Sequence, residues 1–188
     1  MKRIYPKKNQ KKRKIRQRIK VNDSGAEENR EREEEFEDAR SYLRLLLKYR
    51  PRTEQEFRER LKNKDYAPEV IDGVVDWALE KDLIDDELFA EYFVEDRLQN
   101  KPMGRSGLYK ELLEHGVDKG VARELLDKKT SKKSEEERCK ELARKRLAKY
   151  EGDDVKARYR KTLGFLERRG FSRGLANSVL KGILFNDD

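Results

Sequence analysis

The sequence predicts an all-α protein: an elongated tandem array of three three-helix repeats, about nine helices, behind a basic N-terminal extension. Three observations lead there. Apolar residues recur with the period of a helix, and no segment alternates strictly with period two. The chain matches itself at an ungapped offset of 51 residues, and fixed-period self-similarity marks a repeat architecture. Charged residues make up 46% of the chain and hydrophobic residues 35%. That is lean for one globular core but suits thin units that share faces with their neighbours.

The first helix of the first unit shows its apolar stripe at Ala39, Tyr42, Leu43, Leu46 and Leu47. Pro51 ends it, because a proline pushes the residue before it out of the α region. Thr53 and Glu56 then carry the spacing of a capping box for a second helix. That helix ends at a position held by Asp65, Gly116 and Gly170 in the three units. Two glycines there point to a left-handed C-cap, which Asp tolerates less well. The third helix starts after Ala67, Asp118 and Ser172. Pro68 suits the first helical position, and Asp118 and Ser172 are natural N-caps.

The offset pairs Ala39 with Ala90, Tyr42 with Phe93, Leu43 with Val94, Leu47 with Leu98 and Pro51 with Pro102. It then pairs Phe57 with Leu108, Leu61 with Leu112, Tyr66 with Val117, Val70 with Val121 and Val74 with Leu125. In a third copy Cys139, Leu142, Ala143, Arg146 and Leu147 match Ala90, Phe93, Val94, Arg97 and Leu98. After five extra residues, Leu166, Gly170, Phe171, Leu175 and Val179 match Leu112, Gly116, Val117, Val121 and Leu125. The extra residues fall in "YEGDDVK", which reads as a lengthened loop. The expected organisation is an extension over 1–37 and repeats over 38–85, 86–130 and 131–188. A unit of this size buries too little surface to stand firmly alone, so stacking is required. Trp77 is expected at a seam between units.

Several functional classes fall away. Cys139 is the only cysteine, so no intramolecular disulfide forms and a Cys-based zinc site is not expected. No apolar run approaches the roughly 20 residues of a membrane span. The basic N-terminus lacks the apolar stretch of a secretory signal. A soluble, cytoplasmic, monomeric protein is expected. His115, the one histidine, reads as a helix-end or exposed residue rather than a catalyst. Asp85, Asp86, Glu87 and Glu91 are groups of the kind that hold magnesium in a nuclease, but Asp85 and Asp86 at a helix start are explained by capping. No phosphate-cradling glycine motif occurs. No catalytic residue, metal or cofactor is expected.

Charge is more informative. Residues 1–20 carry eleven Lys or Arg and no acid; residues 21–38 carry a net −7. Residues 39–127 come to −4 and residues 128–188 to +8. Asymmetry of this kind indicates contact with a polyanion or an acidic partner. The arm offers Lys7, Lys8, Lys11, Lys12, Arg13, Lys14, Arg16 and Arg18. Such an arm either neutralises phosphates, with steep salt dependence, or folds back on the acidic run beside it. Within the repeats the candidate contacts are Arg97, Lys101, Arg105, Lys110, Arg144, Lys145, Arg146, Arg168, Arg169 and Arg173. No basic–aromatic alternation suggests base stacking.

The stretches "LIDDELFAEYFVEDR", "NKPMGRSGLYKELLEHGV" and "FLERRGFSRGLANSVL", with "RPRTEQEFRERLKNKDYAPEVI" as first-unit counterpart, resemble the RecX family of recombination regulators over roughly 38–185. The resemblance implies tandem three-helix repeats. It also implies a non-enzymatic role: binding the RecA recombinase filament and inhibiting its growth, strand exchange and ATP hydrolysis, with DNA contact in some members. It places family-motif positions at Phe89, Tyr92, Arg97, Lys101, Gly104, Leu108, Leu112 and Gly116. Arg97 takes the place of Leu46 and recurs as Arg146, so it is expected to face a partner. The extension lies outside the resemblance. The alternative is a stand-alone nucleic-acid-binding protein using helix-turn-helix-like units and the arm.

Overall fold

The computed structural model describes residues 24–185, so the basic arm lies outside the described residues. Within them the chain forms nine α-helices and no strand. Unit 1 holds α1 (Ser24–Leu47), α2 (Glu54–Lys62) and α3 (Pro68–Glu80). Unit 2 holds α4 (Asp86–Asn100), α5 (Arg105–Glu114) and α6 (Lys119–Lys129). Unit 3 holds α7 (Lys132–Ala148), α8 (Val155–Arg168) and α9 (Arg173–Phe185). The acidic stretch is helical from Ser24 and runs unbroken into the first helix of unit 1. None of these helices is long and apolar enough to cross a membrane.

Each unit closes around its own core, supplied by the residues the repeat aligns. Ala39, Leu43, Phe57, Leu61, Val74 and Val75 are fully buried in unit 1. Ala90, Val94, Leu108, Leu112 and Leu126 do the same in unit 2, and Cys139, Ala143, Leu166, Ala176 and Leu180 in unit 3. Burying each leucine contributes about 1.5–3 kcal/mol. The extensive helix–helix packing lies within units, so the units meet mainly through helix ends and loops.

The caps explain where the helices start. Thr53, Asp85, Asp118, Asp154 and Ser172 each accept a backbone N–H in the first turn that follows. Asp65 does take the left-handed conformation, with φ 60°, alongside Gly116 at 89° and Gly170 at 75°. Three sequence expectations need correction. Only half of the Thr53 capping box forms, because the Glu56 carboxylate turns to Arg50 instead. Trp77 is at no seam: it packs inside unit 1, with the Arg40 guanidinium 4.4 Å and the Arg44 guanidinium 5.2 Å from its ring. The insertion near "YEGDDVK" lengthens a helix as well as a loop. The second helix of unit 3 spans 14 residues against 10 in unit 2.

Burial pushes the Cys139 thiol up to about 11. A thiol needs its thiolate to react. Cys139 should therefore be modified by Ellman's reagent only at the rate of unfolding. Rapid labelling of the native chain would show that the core of unit 3 opens locally.

Candidate partner-binding surface

Both seams use one device. The start of each unit's second helix meets the end of the next unit's second helix. At the first seam the buried Thr53 hydroxyl donates to the His115 carbonyl at 2.6 Å. At the second, the Gly104 N–H donates to the Arg169 carbonyl at 2.9 Å. Thr53 and Gly104 are equivalent in the repeat. A carboxylate from the next unit then caps each helix. The Glu54 N–H donates to Asp86 at 3.0 Å, and the Arg105 N–H to Glu135 at 2.8 Å. An acid here satisfies an orphan donor and complements the helix dipole. Asp86 and Glu135 occupy the repeat position of Glu35, which instead accepts from the Ala67 N–H of its own unit.

His115 sits in the first seam rather than in solvent. Its ring lies 5.2 Å from Phe89 and 5.1 Å from Phe93, and its Nδ1 is 3.3 Å from Glu56. Arg50 donates twice to the same carboxylate, at 2.9 and 2.7 Å. Burial alone would raise the Glu56 pKa; the hydrogen bonds from His115 and Arg50, with the Arg50 charge, outweigh it and bring the value down to about 2. Asp85 caps its own helix, whereas Asp86 caps that of the neighbouring unit. Among the described residues no group of three or more His, Cys, Asp or Glu is placed to hold a metal ion.

The predicted contact residues divide by unit. In unit 2 every one is engaged by a carboxylate of that unit. Arg97 meets Glu111 at 2.8 Å and Asp96 at 2.9 Å and covers the Phe93 ring. Lys101 approaches Glu111, Arg105 holds Asp127, and Lys110 approaches Glu114. Arg97 is thus held by Glu111, Asp96 and Phe93 of its own unit. In unit 3, Lys145 holds Glu141 and Arg173 approaches Glu167. Arg144, Arg146, Arg168 and Arg169 have no ion pair among the described residues. For Arg146 the cause is sequence: Glu111 and Asp96, which hold Arg97 in unit 2, are replaced by Phe165 and Lys145 in unit 3. The Arg146 guanidinium consequently stacks 4.8 Å from Phe165 and 5.1 Å from Tyr150. Arg169 lies 5.4 Å from the same Phe165 ring. The structure therefore brings Arg146 and Arg169 together in a cationic–aromatic cluster that linear spacing did not reveal. A stacked guanidinium keeps its donors for phosphate or carboxylate.

Comparison with known proteins bears on this architecture. Models of the first, second and third three-helix domains of RecX match residues 39–77, 85–126 and 134–180. Regulatory protein RecX of Thermobifida fusca (strain YX) is 34% identical over 149 residues, covering 79% of this chain and 80% of its own. The chain belongs to the RecX family. The crystal structure of RecX from Lactobacillus salivarius superposes with a TM-score of 0.65 at 23% identity, over 80% of this chain and 97% of that one. A crystal structure of regulatory protein RecX gives 0.71 at 22%, over 88% and 84%. These two likenesses concern the fold.

Sequence reasoning missed two sets of residues in this RecX-family chain. The seam acids Asp86 and Glu135 had a signal, since both fall on one repeat position with Glu35. Tyr150 and Phe165 had none, because Tyr150 follows α7 while Phe165 lies in α8.

Proposed function

We propose that this RecX-family chain is a non-enzymatic modulator of the RecA filament. It binds the filament and inhibits ATP hydrolysis, growth and strand exchange. Unit 3 contacts the phosphate backbone held in that filament, and the acidic middle faces basic RecA loops. Family membership and the regulatory naming of the relatives support the partner. The observation that carries the reading is that four of the predicted contact arginines, all in unit 3, have no ion pair among the described residues, two of them lying on Phe165. The four predicted contact cations of unit 2 each meet a carboxylate of that unit. Uncompensated Lys and Arg supply most of the affinity for a nucleic-acid backbone.

The deciding experiment titrates single-stranded-DNA-dependent ATP hydrolysis by the cognate RecA with this chain, full-length and lacking residues 1–20. Half-maximal inhibition well below the RecA concentration by both forms is expected. No inhibition by either form, beside salt-sensitive DNA binding by the full chain alone, overturns the reading in favour of a stand-alone nucleic-acid-binding protein.

A further inference from the structure

We propose that the cleft between the start of α8 and the end of α9 in unit 3 is a docking groove for an acidic segment of a partner protein that also carries aromatic or long aliphatic side chains. The inference concerns a different face from the Phe165 cluster and does not depend on the RecA reading.

The groove, of about 490 Å³, lies between the first turn of α8 and the last turn of α9. Val155, Tyr159 and Phe185 supply its apolar surface, with Val155 45% and Phe185 62% exposed. Lys156, Arg160 and Lys181 line the same groove. These three cations are exposed and have no ion pair among the described residues. Of the nearby acids, Asp153 holds Lys161, while Asp154 lines the groove and accepts from the Ala157 N–H, so three cations face one carboxylate there. Exposed apolar surface beside excess positive charge is complementary to a segment bearing carboxylates next to large apolar side chains.

The two seams indicate how such a segment would sit. In units 1 and 2 the start of the second helix is covered by the following unit, which brings a carboxylate: Asp86 at α2 and Glu135 at α5. The corresponding start in unit 3 is α8, and no unit follows it among the described residues. A second copy does not fit as a fourth unit. Its unit 1 presents Asp65 where Gly116 and Gly170 admit close approach, and its Glu35 is already turned onto Ala67. Both features block head-to-tail growth of the array.

The test measures anisotropy of a short fluorescein-labelled peptide of Glu, Leu and Phe titrated with the full chain. Two control peptides replace Glu by Lys, or Leu and Phe by Ser. Saturable binding is expected for the first peptide alone, weakened about tenfold or more by Phe185→Ala and by Lys156→Glu with Lys181→Glu. Both changes lie on exposed positions and should leave thermal unfolding in place. Equal binding of the Ser-substituted peptide, or indifference to both variants, overturns the proposal. So does concentration-dependent dimerisation of the chain that Phe185→Ala abolishes, which would assign the groove to a second copy. Binding that appears only after residues 186–188 are deleted overturns it in favour of the chain's own acidic end.

Discussion

Gly170→Ala lowers the unfolding free energy by about 2–6 kcal/mol, the largest stability loss expected of any single methyl group in this chain. Two costs of comparable size add. The backbone at Gly170 has φ 75°, where a side chain costs about 1–3 kcal/mol. A Cβ there would also overlap the backbone of Gly107 across the second seam, and overpacking of that kind costs about 1–3 kcal/mol more. Gly104 separates the two costs. Gly104 has φ −76°, an ordinary conformation, yet a Cβ on it would overlap the Gly170 carbonyl and Phe171 Cα. Gly104→Ala therefore tests approach alone. Gly116 has φ 89°, and a Cβ on it would also meet the Gln55 Cβ, which side-chain rotation cannot move. Gly116→Ala therefore adds a side-chain overlap, not a backbone one, to the conformational cost. Urea denaturation should rank Gly170→Ala as most damaging, followed by the other two. A Gly170→Ala protein as stable as the parent would mean that the second seam is not the close backbone contact described above.

Charge removal on Arg146 and Arg169 is the functional counterpart. In the variant with Arg146→Gln and Arg169→Gln, half-maximal inhibition of RecA ATP hydrolysis moves up by about tenfold or more. The salt dependence of binding to the RecA–DNA filament becomes shallower, by about one in log–log slope for each lost phosphate contact. Stability changes little, because neither arginine has a carboxylate to leave behind. Arg97→Gln should behave in the opposite sense. It strips a partner from Glu111 and Asp96, costing about 1–3 kcal/mol, while inhibition of RecA is nearly retained. The pair of variants thus separates a packing arginine from a contacting one, although the repeat places Arg97 and Arg146 at the same position. Full inhibition by the Arg146, Arg169 variant would remove unit 3 from the binding surface.

The sequence by itself determined the repeat and most of its local structure. The apolar stripes at Ala39, Leu43, Ala90, Val94, Cys139 and Ala143, the break at Pro51, and the caps at Thr53, Asp118 and Ser172 are set by spacing and side-chain chemistry within a few residues. Local interactions of that range can be read along a chain. The resemblance carried by motifs in all three units extended this to the family.

Tertiary structure decided the rest, because it depended on what each helix end meets. The second-helix C-cap is Asp in unit 1 and Gly in units 2 and 3. All three adopt positive φ, but only the latter two lie at seams where a neighbour's chain approaches. Asp86 and Glu135 are local helix-start acids in sequence and caps for another unit in space. Trp77 carries no mark that distinguishes a seam from the interior of its own unit. Arg97 and Arg146 are one residue type at one repeat position. Their difference in availability comes from Glu111 and Phe165, fourteen and nineteen residues further along, which the fold folds back beside them. Charge pairing and stacking across that distance are set by packing, and periodicity along the chain does not encode them.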